Sequence, residues 1–121
     1  TEGLKKFLAA RYHAVLCQAL GGRLIRKMVS DAIIGTTFSC SQITPQSDSK
    51  RDMKAADKAD ALLNRLFLEP SLGLGYPDES IAVLKKIKKY EQPEDAQNSI
   101  FEFDFIGIQN YTFLFIYELY F

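Results

Sequence analysis

The chain has 121 residues, of which 47% are hydrophobic, and its 15 basic and 15 acidic side chains cancel. This length is sufficient for one hydrophobic core and therefore predicts a single domain. The balanced charge excludes an overall field that would attract nucleic acid or an anionic membrane surface. Two cysteines, Cys17 and Cys40, are too few for a disulfide framework, so we expect a reduced, cytoplasmic setting.

Other classes of protein are disfavoured by motifs that the sequence lacks. The first residues are charged and amphipathic, without the apolar core of a signal peptide. The longest apolar run, near Phe113 to Tyr117, is far below the ~20 residues that a membrane span requires. One histidine, His13, and two distant cysteines cannot build a closed zinc site. No glycine-rich phosphate loop follows a predicted strand, so we expect no metal and no cofactor.

Three helices are predicted from apolar residues that recur at three- and four-residue steps. The first covers Leu4 to Met28, and Gly21-Gly22 inside it predicts a kink or an early end. Its basic face is interpreted as solvated rather than as a nucleic-acid surface. The second covers Asp52 to Leu68 and opens with a Ser49-x-x-Asp52 pattern that resembles a capping box. The third runs from Glu79 to about Tyr90 and carries lysines toward its end.

Two strands are predicted from compact runs of β-forming residues, Asp31 to Ser41 and Phe101 to Thr112. Both runs change from apolar to polar toward their C-terminal ends. This pattern is typical of strands buried on both faces of a parallel sheet. In such sheets the chemistry gathers just beyond the carboxyl ends of the strands, which points to GIQNYT, residues 107–112, at the end of the second run. The fold class is therefore α/β.

Three stretches carry a resemblance to one enzyme family. DFIGIQNYT, residues 104–112, resembles the sixth barrel strand of glycoside hydrolase family 1, the β-glucosidase family, whose usual pattern is DF-(I/V)-G-(I/L)-N-Y-Y-T. RLFLEPSLGLGYP, residues 65–77, is similar to the family's W-F-(L/M)-D/E-P-(I/L)-x-x-G-x-Y-P signature. IIGTTFSCSQITPQSDS, residues 33–49, resembles the fifth strand and its loop, with Ser39 and Cys40 where the family commonly has asparagines.

The resemblance implies a helix-rich segment, with two or three strands, of a (β/α)8 barrel. A complete barrel of this kind needs roughly 250 residues. Residues 1–112 would form one domain that corresponds to the middle of the barrel, between its fifth and sixth strands. Residues 113–121 would be an aromatic tail outside the family pattern.

The family reaction that the resemblance implies is retaining hydrolysis of β-glycosides, by two carboxylates roughly 5 Å apart. In the family these acids lie in Asn-Glu-Pro and Thr/Ile-Glu-Asn-Gly motifs, and neither motif occurs in this sequence. No catalytic residue is therefore predicted, and we expect the isolated chain to be inactive. Tyr111 matches the tyrosine that hydrogen-bonds the nucleophilic carboxylate, and Gln109 matches an asparagine that lines the sugar site. Cys40 is a third candidate supporting residue, and an ordinary strand-end role for Tyr111 stays equally open.

Two other functions remain open from the residues alone. The chain is alternatively a non-catalytic module that binds sugar or forms a homo-oligomer. In that case the aromatic tail, Phe113 to Phe121, either adds to the protein's own sheet or packs against a second copy. A weaker alternative is a basic helical protein that binds nucleic acid through its first helix, which the balanced charge disfavours.

Overall fold

The structure, a computed structural model, describes residues 2–117. One long helix precedes the first strand, and a series of helical segments connects the two strands. In chain order they are α1 (Glu2–Met28), β1 (Gly35–Pro45), α2 (Lys50–Asp60), a π-helical segment (Ala61–Arg65), α3 (Leu66–Ser71), a 3₁₀ segment (Ala82–Tyr90), α4 (Asp95–Asn98) and β2 (Phe105–Ile116). The α/β class predicted from the sequence is confirmed.

Helix α1 runs from Glu2 through Gly21 and Gly22 to Met28, so the predicted long helix is confirmed and the alternative of an early end at the glycines does not occur. The second of these glycines has a packing role. A Cβ atom built on Gly22 would lie 2.7 Å from Cδ1 and Cε1 of Phe101, so the segment before β2 packs directly against the helix there. Close approach by a neighbouring segment accounts for glycine at this position better than a helix end does.

The second predicted helix exists but is longer than predicted and irregular. Helices α2 and α3 are joined by the π-helical turn into one helical stretch. Ser49 caps it as predicted, because its hydroxyl accepts a hydrogen bond of 3.1 Å from the backbone N–H of Asp52. The third predicted helix is a 3₁₀ segment, Ala82–Tyr90, and the short helix α4 was not predicted.

The two strands are parallel neighbours, with Gly35 opposite Phe105 and Ser39 opposite Gln109. Each strand begins later and ends later than the sequence predicted. Residues 113–116 pair with residues 42–45 and so extend both strands. The first half of the aromatic tail therefore adds to the protein's own sheet, while residues 118–121 lie outside the described part of the chain.

The hydrophobic core lies on the helical side of the sheet. Its fully buried members are Leu8, Tyr12, Leu66, Leu84 and Ile87. Phe38 of β1 is buried, whereas Phe105, Ile108 and Phe113 of β2 are exposed. The prediction that β2 is buried on both faces is wrong for the described residues, because the helices cover one face of the sheet and cover mainly β1. None of the helices within residues 2–117 has the length and hydrophobicity to cross a membrane.

Candidate functional site

The sheet has an uncovered face, which we call the open face. It is formed by alternate residues of each strand, because successive side chains point to opposite sides. The β-strand pairing aligns Thr37 with Gly107 and Ser39 with Gln109 on this face. Tyr111 follows two residues later and is 78% exposed. The open face therefore carries a group of polar side chains, Ser39, Gln109 and Tyr111.

The sequence predicted that these polar residues lie just beyond the carboxyl ends of the strands. In the structure they lie within the strands. Gln109 and Tyr111 are in the middle of β2, which continues to Ile116. The reason is the run of β-forming residues that follows them, because Phe113 and its neighbours pair with the end of β1. The sequence pattern located the polar positions but misjudged where the strand ends.

Cys40 lies on the opposite face from Gln109. It pairs with Asn110 and shares its side of the sheet with the buried Phe38, which faces the helices. Burial, and secondarily the negative charge of Asp60 on α2, raise the pKa of the Cys40 thiol. The three predicted supporting residues are therefore not brought together. Gln109 and Tyr111 share the open face with Ser39, and Cys40 does not.

A β-bulge between the two strands sets the position of Tyr111. Between the pairs Cys40–Asn110 and Gln42–Phe113, β1 has one residue, Ser41, and β2 has two, Tyr111 and Thr112, so the extra residue of the bulge belongs to β2. Asn64 of the π-helical turn satisfies the backbone of Ser41: its Oδ1 accepts from the Ser41 N–H at 2.9 Å, and its Nδ2 donates to the Ser41 carbonyl at 2.8 Å. The hydroxyls of Ser41 and Thr112 are 2.7 Å apart, which joins β1 to the bulge directly after Tyr111.

Asn64 is oriented by a network of charged side chains behind the sheet. Its Nδ2 also donates to Asp60 at 2.7 Å, and the other carboxylate oxygen of Asp60 accepts from Arg65 at 2.9 Å. Arg65 contacts Asp57 at 2.8 Å as well. A π-helical turn adds one residue to a helix and so re-aims the side chains in it, which here directs Asn64 toward the bulge.

The chemistry that the open face can perform is limited by its composition. Neither β1 nor β2 contains an aspartate, a glutamate or a histidine. Amides, hydroxyls and one phenol can donate and accept hydrogen bonds, but they cannot supply the paired carboxylates of a retaining glycosidase. Within residues 2–117 no group of three or more His, Cys, Asp or Glu side chains is arranged to hold a metal ion.

Two residues of this arrangement were missed by the sequence reasoning. Ser39 was noted as a departure from a family pattern, and its position beside Gln109 depends on the pairing of two strands 70 residues apart. The alternation of side chains along β1 could have placed Ser39 on the face opposite Phe38. It could not have shown that Gln109 is the neighbour of Ser39 in the sheet. Asn64 carries no sequence signal for its role, because the Ser41 backbone that it hydrogen-bonds lies in another element of the fold, opposite the bulge.

Comparison with known proteins shows which proteins this chain is similar to. The model of glycosyl hydrolase family 1 matches residues 1–119. A 6-phospho-β-galactosidase of Lacticaseibacillus rhamnosus is 32% identical over 121 residues, an alignment that covers 92% of this chain and 26% of that enzyme. β-Glucosidase A of Acetivibrio thermocellus is 33% identical over 118 residues, with 95% of this chain and 26% of the enzyme covered.

Solved structures agree with the sequence relatives. The psychrophilic β-glucosidase of Micrococcus antarcticus superposes with a TM-score of 0.77 at 28% identity, covering 87% of this chain and 23% of that enzyme. The chain therefore spans about a quarter of the length of the relatives that it matches. The β-glucosidases that it resembles are (β/α)8 barrels, so two parallel strands with their helices are a partial barrel. On these grounds the chain belongs to glycosyl hydrolase family 1.

Proposed function

We propose that this chain is the segment of a retaining β-glycosidase that carries the fifth and sixth barrel strands, and that it orients groups rather than supplying the reacting acids. The single observation that carries the proposal is the open face. It brings Ser39, Gln109 and Tyr111 together on two parallel strands that contain no carboxylate. The isolated chain is accordingly inactive, because both acids of the retaining mechanism would have to come from elsewhere.

The proposed role of Tyr111 is to donate its phenolic O–H to the nucleophilic carboxylate. Such a hydrogen bond favours the ionised form of the carboxylate and fixes the direction of its attack. The Gln109 amide, with both a donor and an acceptor, would bind a hydroxyl of the sugar. Both are positioning roles. Cys40 faces the helices, which supports a packing role for this residue instead.

The substrate class is proposed to be β-glycosides in general. Relatives are named β-glucosidases, 6-phospho-β-glucosidases and 6-phospho-β-galactosidases. Neither strand contains lysine or arginine, so the open face offers no cationic ligand for a sugar phosphate. A preference between free and phosphorylated sugars would therefore be set outside these strands. A cytoplasmic location stays a prediction, supported by the free thiols of Cys17 and Cys40.

A chimeric enzyme tests this proposal. Residues 1–117 would replace the aligned segment of the Acetivibrio thermocellus β-glucosidase, and hydrolysis of an aryl β-glucoside would be measured. We expect Tyr111→Phe to lower kcat of the chimera by about tenfold or more, as loss of a preorganised donor does. Tyr117→Phe, an exposed tyrosine beyond β2, is the control and should leave kcat within about twofold. Equal rates for the two variants would remove Tyr111 from the proposed role.

A second candidate function, self-association, is favoured by the apolar surface that the chain exposes. Phe113 and Phe115 of β2 are 69% and 65% exposed. Exposed apolar areas mark association surfaces, and a free strand edge can pair with another strand. A homo-oligomer formed through this end of β2 would bury both side chains.

Sedimentation velocity would test self-association over a range of protein concentrations. Replacing Phe113 and Phe115 together by threonine keeps the β propensity of the strand and removes the aromatic surface. Association through this surface predicts a mass that rises with concentration and falls to that of one chain in the double variant. A monomeric mass for the unaltered chain at every concentration would eliminate this candidate.

A further inference from the structure

Residues 91–103, which we call the strap, lie against α1 between two attachments to the rest of the molecule. Before the strap, Tyr90 packs against the hydrophobic core, and its hydroxyl donates to the Lys5 carbonyl at 3.0 Å. After the strap, Asp104 is hydrogen-bonded to the backbone of Ile34 in both directions. The strap itself contains the four-residue helix α4 and leads directly into β2.

The strap is attached by few apolar contacts. Among residues 91–103, all of which the structure describes, Asp95 is the only buried one, and Ile100 is 47% exposed. The ring of Phe101 packs on α1 at Gly22, but it does so near the end of the strap that leads into β2. Segments that bury little apolar surface are the first to detach from a folded protein.

A cavity of about 210 Å³ lies between the strap, α1 and the loop after α3. The strap contributes five residues to its lining, Glu91, Asp95, Ala96, Ser99 and Ile100. Atoms that border a void lack packing partners on that side. The middle of the strap therefore spans a gap rather than packing on the core. None of the lining residues belongs to β1 or β2, so the cavity is separate from the open face.

Two side chains of α1 attach the strap across this gap through hydrogen bonds. The Tyr12 hydroxyl donates to the carboxylate of Asp95. The guanidinium of Arg23 donates to three backbone carbonyls of the strap, those of Gln97, Asn98 and Ile100. The last carbonyls of a helix have no partner within it, and Arg23 supplies donors at the end of α4. One side chain therefore holds the second half of the strap on α1.

The backbone hydrogen bonds of the strap are made inside the strap itself. The N–H of Asp95 donates to the Gln92 carbonyl at 3.0 Å, and the N–H of Gln92 donates to the Asp95 carboxylate at 2.9 Å. The N–H of Ser99 donates to the Asp95 carbonyl at 2.8 Å, and that of Asn98 to the Glu94 carbonyl at 3.2 Å. Because these bonds do not involve α1, the strap can leave α1 without losing them.

We propose that the strap is a movable cover over the cavity, and that Arg23 is the latch that keeps it closed. Opening breaks the hydrogen bonds from Tyr12 and Arg23 and keeps those within the strap, so the segment between Tyr90 and Asp104 moves as a unit. It uncovers Val15 of α1, which lines the cavity and is 4% exposed in the closed form. This device does not depend on the proposed function, because it uses no residue of the open face.

Thiol labelling of Val15→Cys tests this cover in the full chain, with Cys17→Ser and Cys40→Ser to remove the other thiols. Iodoacetamide, with detection by mass spectrometry, should label this thiol only when the strap opens. We expect Arg23→Gln to make labelling at least about tenfold faster, because an amide replaces a charged donor to three carbonyls. Lys27→Gln removes the same charge from an exposed position of α1 and should change the rate less than about twofold.

A second buried thiol separates opening of the strap from unfolding of the whole chain. Ala61 in the π-helical turn is fully buried and does not line the cavity, so Ala61→Cys is labelled only by general unfolding. We expect Arg23→Gln to change its labelling less than about twofold. An unchanged rate for Val15→Cys in Arg23→Gln would overturn the proposal. Equal acceleration of Val15→Cys and Ala61→Cys would also overturn it, because the strap would then not open separately.

Discussion

Asp104 fixes the point at which the chain enters both strands. Its Oδ2 accepts from the Ile34 N–H at 2.7 Å and from Arg26 at 2.8 Å, and its own N–H donates to the Ile34 carbonyl at 2.8 Å. The bond from Ile34, with a further contribution from Arg26, lowers the pKa of Asp104 below its ordinary 3.8. A single aspartate thereby joins α1, β1 and the start of β2.

This lowered pKa predicts acid sensitivity of a definite sign. Because the pKa is lower in the folded than in the unfolded chain, the stabilisation is present above 3.8 and is lost as the pH falls through the folded-state value. We expect Asp104→Asn to lose less stability than the unaltered chain between about pH 6 and about pH 3, measured by urea unfolding. Asp48→Asn, at an exposed loop position, is the control. If the free energy of unfolding falls by the same amount on acidification in Asp104→Asn and in the unaltered chain, the carboxylate of Asp104 is not the source of the acid sensitivity.

Asn64 provides a second prediction at the scale of single residues. Its amide makes both backbone hydrogen bonds of Ser41 at the bulge, so Asn64→Ala leaves a donor and an acceptor unsatisfied. We expect the free energy of unfolding to fall by about 1–3 kcal/mol. Lys54→Ala on the exposed side of α2 should change it by less than about 0.5 kcal/mol. Chemical denaturation of both variants measures the difference, and similar midpoints would exclude Asn64 as the anchor of the bulge.

At the scale of elements, α1 contains two adjacent glycines in different surroundings. A Cβ atom on Gly21 would meet no atom within 4 Å, whereas one on Gly22 would lie 2.7 Å from the ring of Phe101. The same substitution at neighbouring positions therefore separates the helix propensity of glycine from its packing role.

We expect Gly21→Ala to raise the free energy of unfolding by about 0.5–1 kcal/mol, because alanine is the better helix former. Gly22→Ala gains the same propensity but forces Phe101 to move, and overpacking costs about 1–3 kcal/mol. Its net effect should be destabilising. Thermal unfolding of the two variants provides the comparison. If Gly21→Ala and Gly22→Ala both stabilise the protein, Phe101 does not pack closely enough on α1 to exclude a side chain at position 22.

Local sequence patterns predicted most of the elements, and the errors occur where distant segments meet. Three- and four-residue periodicity found α1 and the long helical stretch that Ser49 caps. β propensity found both strands, and the resemblance to a barrel family led us to expect them side by side. The strand ends were misjudged because they depend on the pairing of residues 113–116 with residues 42–45. Of the three supporting residues predicted from the sequence, Gln109 and Tyr111 lie on the open face, whereas Cys40 lies on the helical side of the sheet.

At the scale of the whole molecule, the chain has the packing of a partial barrel. Parallel sheets are normally covered on both faces, yet here the helices cover one face and leave most of β2 exposed. The first half of α1 contributes to the core, whereas Leu24 and Met28 near its end are exposed. Both features fit a segment that spans about a quarter of its relatives, since the surfaces that those enzymes cover with other strands and helices are open here. The division of the chain at Thr112 stays a prediction, and the family match runs to residue 119.

Hydrolysis of an aryl β-glucoside by the purified chain is the most direct test of the claim that this partial barrel lacks the reacting acids. We expect a rate that does not differ from the uncatalysed one, with and without Tyr111→Phe, because neither strand contributes a carboxylate to the open face. Turnover by the unaltered chain that Tyr111→Phe abolishes would contradict it, because the open face would then belong to a complete catalytic site.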